Sequence, residues 1–253
     1  MKITCLKQKR VFTSGFPDKL FLVEKNNLKG IFLYVERHSV IREIMLKATL
    51  YYAKKLNYKL FLAQKGHGMA IPTDVLERQY KNNFYSFLNS VDELANYMVT
   101  IGYIQHFAKS LNQPPSLLDL GCGHGRLTEL LSPYPIKKYV GLDKSPEAVK
   151  QANSCNFKNS KFLVTDFEEY TPTEKFDFIV SLGSIHYAPD PAAVLKRFSP
   201  SLTKNGAFIV SLWRYGHNAA IWQNIEKHFE IIDSTVVTNA CGVSWDIKVF
   251  RER

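Results

Sequence analysis

Leu117-Leu118-Asp119-Leu120-Gly121-Cys122-Gly123-His124-Gly125-Arg126 joins a short apolar run to three glycines at alternating positions, and Leu127-Thr128-Glu129-Leu130-Leu131 then opens a helix. A strand buried on both faces of a parallel sheet needs no polar alternation. Glycine lets the backbone turn tightly and come close to a ligand, and a helix that starts just after such a turn presents unpaired N–H groups. Strand, glycine turn and helix in this order make a cradle for a nucleotide-like ligand. The third glycine follows the second by two residues, whereas the dinucleotide fingerprint places it one residue further on.

Tyr139-Val140-Gly141-Leu142-Asp143 reads as a second strand that ends in an acid 24 residues after Asp119. Folds of this kind place there the carboxylate that binds ribose hydroxyls; the alternative is an acid that caps the helix starting at Ser145-Pro146-Glu147. Phe162 to Phe167 gives a third strand ending in Asp166-Phe167, and Phe176 to Leu182 a fourth, followed by a loop from Ser184 to Pro191. Pro191 to Phe198 and Ala219 to His228 read as helices. Between the two, Asn205-Gly206 is a turn signal leading into a fifth buried strand that ends near Trp213. Phe229–Val237 and Val243–Phe250 read as a C-terminal hairpin, and Asp74 to Ser110 as helices.

The run Asp119-Leu120-Gly121-Cys122-Gly123-His124-Gly125, with acids at the next two strand ends, resembles the first motifs of class I S-adenosylmethionine-dependent methyltransferases. The flavour is that of the group containing ubiquinone- and menaquinone-biosynthesis enzymes. The likeness runs from about Tyr80 to the C-terminus, roughly two thirds of the chain. It implies an α/β fold: a Rossmann-like sheet of seven strands with helices on both faces, the last strand inserted antiparallel. It also implies S-adenosyl-L-methionine as cofactor and S-adenosyl-L-homocysteine as product. The cofactor residues implied are Tyr80, Asp119, Gly121, Cys122, Gly123, Asp143, Lys144, Asp166, Phe167 and Ser181. Among them Asp143 would hold the ribose, Asp166 would accept from the adenine amine, and Phe167 would cover the ring.

His186 follows the fourth strand, at the sheet edge where ligands bind in open α/β folds, and histidine titrates near neutrality. It is the candidate general base, with packing as its rival role. Tyr85, Tyr187, Trp213, Tyr215 and His217 are candidates for an acceptor pocket, since aromatic side chains there can stack on a planar compound. No Asn-Pro-Pro-Tyr or Asp-Pro-Pro-Tyr run follows the fourth strand, and no Pro-Cys pair, so the chain departs from the base-amine methyltransferases of DNA and some RNAs and from cytosine-C5 methyltransferases.

The chain has 253 residues, 45% of them hydrophobic, enough for a sizeable core. Its net charge of +10 resides in residues 1–70, which carry fourteen Lys and Arg against four Asp and Glu; residues 71–253 carry nineteen of each. Residues 1–70 are expected to form a small α+β extension. Leu20–Glu24 and Ile31–Glu36 would pair as a hairpin, and a helix would begin near Val40, the whole serving as a lid over a methyltransferase domain at 71–253. The four cysteines, at 5, 122, 155 and 241, form no Cys-x-x-Cys pair and read as free thiols, with no metal site. No apolar leader or membrane span is recognised, which makes the cytoplasm the expected compartment. The leading functional reading is methylation of a small molecule at oxygen, nitrogen or activated carbon, by a monomer or homodimer. An RNA or tRNA methyltransferase gripping its substrate through the basic segment and a catalytically idle partner-binding protein are the alternatives.

Overall fold

The computed structural model describes residues 71–214 and 218–253. The expected hairpin, helix and lid of residues 1–70, Cys5, and the pocket candidates Tyr215 and His217 lie outside the described residues. The described chain opens with helices α1 (Thr73–Lys81) and α2 (Val91–Ala108), linked through a 3-10 turn at Phe84–Asn89. Then follow β1 (Ser116–Leu120), α3 (Arg126–Leu131), β2 (Lys138–Asp143), α4 (Pro146–Ser154), β3 (Ser160–Val164) and β4 (Phe176–Leu182). The last elements are α5 (Pro191–Phe198), β5 (Leu202–Trp213), α6 (Asn218–Glu226), β6 (Phe229–Thr238) and β7 (Ser244–Glu252).

All seven strands form one sheet in the order β3-β2-β1-β4-β5-β7-β6. β1 to β5 pair in parallel, and β7 runs antiparallel between β5 and β6. This is the Rossmann-like sheet that the resemblance implies. Side chains alternate across it: Leu118 and Leu120 pack with Leu195, Phe198 and Trp222 of α5 and α6, while Leu117, Phe178 and Val180 pack with Ile101, Leu127 and Val149 of α2, α3 and α4. With both faces covered, β4 is buried from Phe176 through Ser181 and shows no polar alternation. α4 and α5 start where their caps dictate. Ser145 Oγ accepts from the Ala148 N–H at 3.2 Å and Asp190 Oδ1 from the Ala193 N–H at 3.1 Å, each cap followed by a proline whose missing N–H costs the first turn nothing.

Two local expectations need correction. Asn205-Gly206 is no turn: the chain reverses in a 3-10 segment at Ser199–Ser201, and Asn205-Gly206 lies inside β5. There the pairing to β4 is irregular, with Phe176 opposite Leu202 and Phe178 opposite Ala207. The third strand stops at Val164, so Asp166 and Phe167 stand in the loop beyond it. Among the described residues no helix is long and apolar enough to cross a membrane, and no cluster of three His, Cys, Asp or Glu is placed to hold a metal ion. Strand order reverses between β1 and β4, which opens a crevice at their C-terminal ends.

Candidate functional site

The crevice is a cleft of about 940 Å³ including its mouth, within the range of small-molecule sites. Its floor is the glycine turn after β1, where Gly121 and Gly123 have φ of +82° and +56°, a conformation that side-chain-bearing residues rarely adopt. The turn is fastened to the end of β2. The N–H groups of Gly121 and Cys122 donate to the Leu142 carbonyl at 2.8 and 2.9 Å. The Gly123 N–H donates to Asp143 Oδ2 at 3.0 Å, and the Ser145 N–H donates to Asp143 Oδ1 at 2.9 Å. Asp143 is thus held in one orientation by two backbone donors, and each oxygen keeps a further lone pair for a ligand. Burial pushes its carboxyl up to about 6, against the lowering effect of the Ser145 and Gly123 donors.

Asp119 lies deeper in the same wall. Tyr139 Oη donates to its Oδ2, while its Oδ1 is buried with no partner among the described residues. Burial pushes its carboxyl up to about 7, with the Tyr139 hydroxyl acting in the opposite direction. Asp166 and Glu168 also face the cleft, and the Lys144 ammonium, 4.0 Å from Asp166 Oδ2, is the single Lys or Arg of the described lining. The half under β2 and β3 is therefore acidic. Its glycine-turn donors serve Leu142 and Asp143, which leaves this turn poorly equipped to cradle a pyrophosphate. The other half is aromatic, lined by Tyr85 and Phe87 of the 3-10 turn, by Tyr187 and by Trp213.

A family model described as a methyltransferase domain matches residues 112–248. The chain belongs to this family. A trans-aconitate 2-methyltransferase of Enterobacter sp. (strain 638) is 32% identical over 104 residues, a match covering 41% of each chain. The chain thus spans less than half the length of the curated relatives it matches. The N-methyltransferase NodS of Bradyrhizobium japonicum WM9, solved with S-adenosyl-l-homocysteine, has the same fold, with a TM-score of 0.60 and 16% identity over 71% of this chain and 97% of that one. Magnesium protoporphyrin IX methyltransferase of Synechocystis PCC 6803, solved with bound SAM, superposes with a TM-score of 0.57 and 16% identity over 72% and 99%.

Nine of the expected cofactor residues line one cleft: Tyr80, Asp119, Gly121, Cys122, Gly123, Asp143, Lys144, Asp166 and Phe167. Ser181 does not. It is fully buried, its Oγ accepts from the Ile185 N–H at 3.0 Å, and it lies 2.6 Å from Ser184 Oγ, so it shapes the turn after β4. Tyr85, Tyr187 and Trp213 line the aromatic half; His186 is not among the residues that line it, and its ring lies 4.0 Å from that of Tyr187 and 6.0 Å from that of Trp213. Cys122 is buried and burial pushes its thiol up, which removes nucleophilic character.

Glu77 carries no sequence signal, yet it anchors the site. From α1 its Oε2 accepts from Ser145 Oγ at 2.8 Å and from the Glu147 N–H at 3.0 Å, and the Glu147 donor holds its carboxyl below the ordinary range. Ser145 is the residue whose N–H orients Asp143. Glu77→Ala is therefore expected to weaken S-adenosylhomocysteine binding about tenfold, while Glu77→Gln, which keeps an acceptor oxygen, stays within about threefold of wild type. Calorimetry on both variants checks this, and equal loss in the two would show that the charge of Glu77, not its acceptor oxygen, supports the site.

Proposed function

We propose that this chain transfers a methyl group from S-adenosylmethionine to a small-molecule acceptor. The observation that carries the reading is the charge of the nucleoside half: four carboxylates, two of them buried, against one lysine already beside Asp166. Such a wall repels a pyrophosphate and suits a nucleoside that carries positive charge. Asp119 lines the cleft, and Asp143 offers free lone pairs to a diol. When bound, S-adenosylmethionine supplies a methyl carbon on a positively charged sulfur: the acceptor's electron pair forms the new bond to carbon, the carbon–sulfur pair returns to sulfur, and a neutral thioether leaves.

The protein's part is orientation and exclusion of water, which supply much of the rate of such a displacement. Asp143 fixes the ribose end, and Asp166 with Phe167 receives the base. The aromatic side chains of the other half shield the acceptor, and His186 packs against Tyr187 and Trp213. Trans-aconitate, the acceptor in the relatives' name, carries three carboxylates, and the described wall offers them Lys144 alone. An RNA substrate held by the basic residues of 1–70 makes a different forecast. Filter binding of the intact protein to total RNA would then show submicromolar affinity that collapses with salt; the small-molecule reading expects no such binding.

The direct test is calorimetric titration with S-adenosylhomocysteine, followed over pH. With carboxyls at about 6 for Asp143 and about 7 for Asp119, affinity should rise at least about tenfold between pH 5.5 and 7.5, as both acceptors ionise. The free protein responds in the opposite sense. Both carboxyls sit above the ordinary 3.8, so the folded state binds more protons than the unfolded chain. Their contribution to stability is fully present below about pH 4 and is lost as pH rises toward 7. A flat affinity profile would sink the assignment of these two acids to the cofactor.

A further inference from the structure

The two halves of the cleft differ in chemistry, and the difference points to what the second half receives. Tyr85 stacks on Tyr80 with ring centres 4.5 Å apart and planes at 30°, forming a wall from the α1 side. Trp213, at the end of β5, packs so closely on the chain after β4 that a Cβ on Gly183 would stand 3.1 Å from the indole. Tyr187 lines the same half, and the His186 ring lies 4.0 Å from the Tyr187 ring and 6.0 Å from that of Trp213. No Lys or Arg among the described residues lines this half. Lys144 lies on the nucleoside side next to Asp166, and Arg214, next to Trp213 in sequence, pairs with Asp246 at 3.2 Å.

Resting on the methyltransferase reading above, we propose that the acceptor is a flat aromatic or heteroaromatic compound without negative charge. Aromatic walls gain contact area and offset stacking from a flat ring, and their faces are negative, so they attract neutral or cationic rings and repel carboxylates. The acids of the nucleoside half add to that repulsion, because a cleft with apolar walls lets charges act over a longer range than water does. Gly183 contributes shape: its φ of +65° and bare Cα let Trp213 lie close to the backbone. A tricarboxylate in this half would lose its water and meet no described cation.

The test uses the full-length protein saturated with S-adenosylhomocysteine, titrated by calorimetry with 4-hydroxyquinoline, tyramine and propane-1,2,3-tricarboxylate. At least one of the two ring compounds is expected to bind saturably and about tenfold or more tighter than the tricarboxylate. Tyr187→Ala, checked for an intact fold by thermal melting, should weaken that binding at least about fivefold, and Tyr187→Phe should retain most of it. Tricarboxylate binding as tight as that of the rings, or no saturable binding by either ring compound at its solubility limit, overturns the proposal. Failure of the wild type to bind S-adenosylhomocysteine at all is a different result: it overturns the methyltransferase reading and the acceptor class with it.

Discussion

Gly121→Val is expected to abolish cofactor binding and to lower the melting temperature by roughly 10 °C, a loss of about 3 kcal/mol in a domain of this size. Two costs combine. At φ +82° a β-branched residue is strained whatever surrounds it. The space is also taken, because a Cβ on Gly121 would stand 2.4 Å from Ser184 Cβ and 2.8 Å from its Oγ. Ser184 has nowhere to go: it is buried, its Oγ donates to the Leu120 carbonyl, and it is linked to Ser181 at 2.6 Å. The push would therefore move the end of β1 or the turn after β4, and both carry walls of the cleft. The same steric conflict applies to Gly121→Ala, with less strain. Adding Ser184→Gly to Gly121→Ala removes the obstructing Cβ and should recover part of the stability. No recovery would show that backbone conformation alone forbids a side chain here. Differential scanning calorimetry of the three variants decides between these outcomes.

Gly121 was legible in the sequence as a residue of the cradle, but its opponent Ser184 was not, because the two lie 63 positions apart and meet only when β1 and β4 pair. The same distinction separates the other successes and failures. β4 and α5 were readable to the residue. A continuous apolar run and an Asp-Pro cap are local signals, and local physics suffices to start and stop those elements. Asn205-Gly206 misled because tertiary contacts override the turn propensity. Arg251 from β7 donates to the Gly206 carbonyl at 3.1 Å and to the Asn205 carbonyl at 3.0 Å, and Thr203 Oγ1 donates to Asp177 Oδ1 at 3.0 Å. A Cβ on Gly206 would come 3.0 Å from the Asp177 carbonyl, so the glycine serves close strand approach rather than reversal. The family resemblance implies Ser181 as a cofactor residue, and the structure turns its hydroxyl to the Ile185 N–H instead. A small hydroxyl in that position satisfies neighbouring backbone just as readily, and nothing in the sequence separates the two roles. Glu77 was silent for the opposite reason: it resembles any solvated helix acid until α1 docks on the start of α4.

Asp143 is where the strand-end reading and the geometry meet, and its variants should be separable. Asp143→Ala removes the acceptor of both the Gly123 and the Ser145 N–H groups. Two buried donors are then left unpaired at about 1–3 kcal/mol each, so the variant is expected to lose stability as well as about 1.5–3 kcal/mol of S-adenosylhomocysteine binding, or roughly 10- to 150-fold. That result alone would not distinguish a cofactor ligand from a strut. Asp143→Asn does. It keeps the size and one acceptor oxygen, so most of the fold's stability should survive, but it cannot ionise and turns an amide group toward one of the two backbone donors. If Asp143 binds the ribose as an anion, the wild-type rise in affinity with pH has contributions near 6 and near 7, and Asp143→Asn should lack the lower one while the Asp119 contribution stays. If Asp143 merely caps the start of α4, the variant will melt lower yet bind S-adenosylhomocysteine with the wild-type pH profile. Titrations at several pH values on a variant shown by melting to be folded therefore read the role of this carboxylate directly.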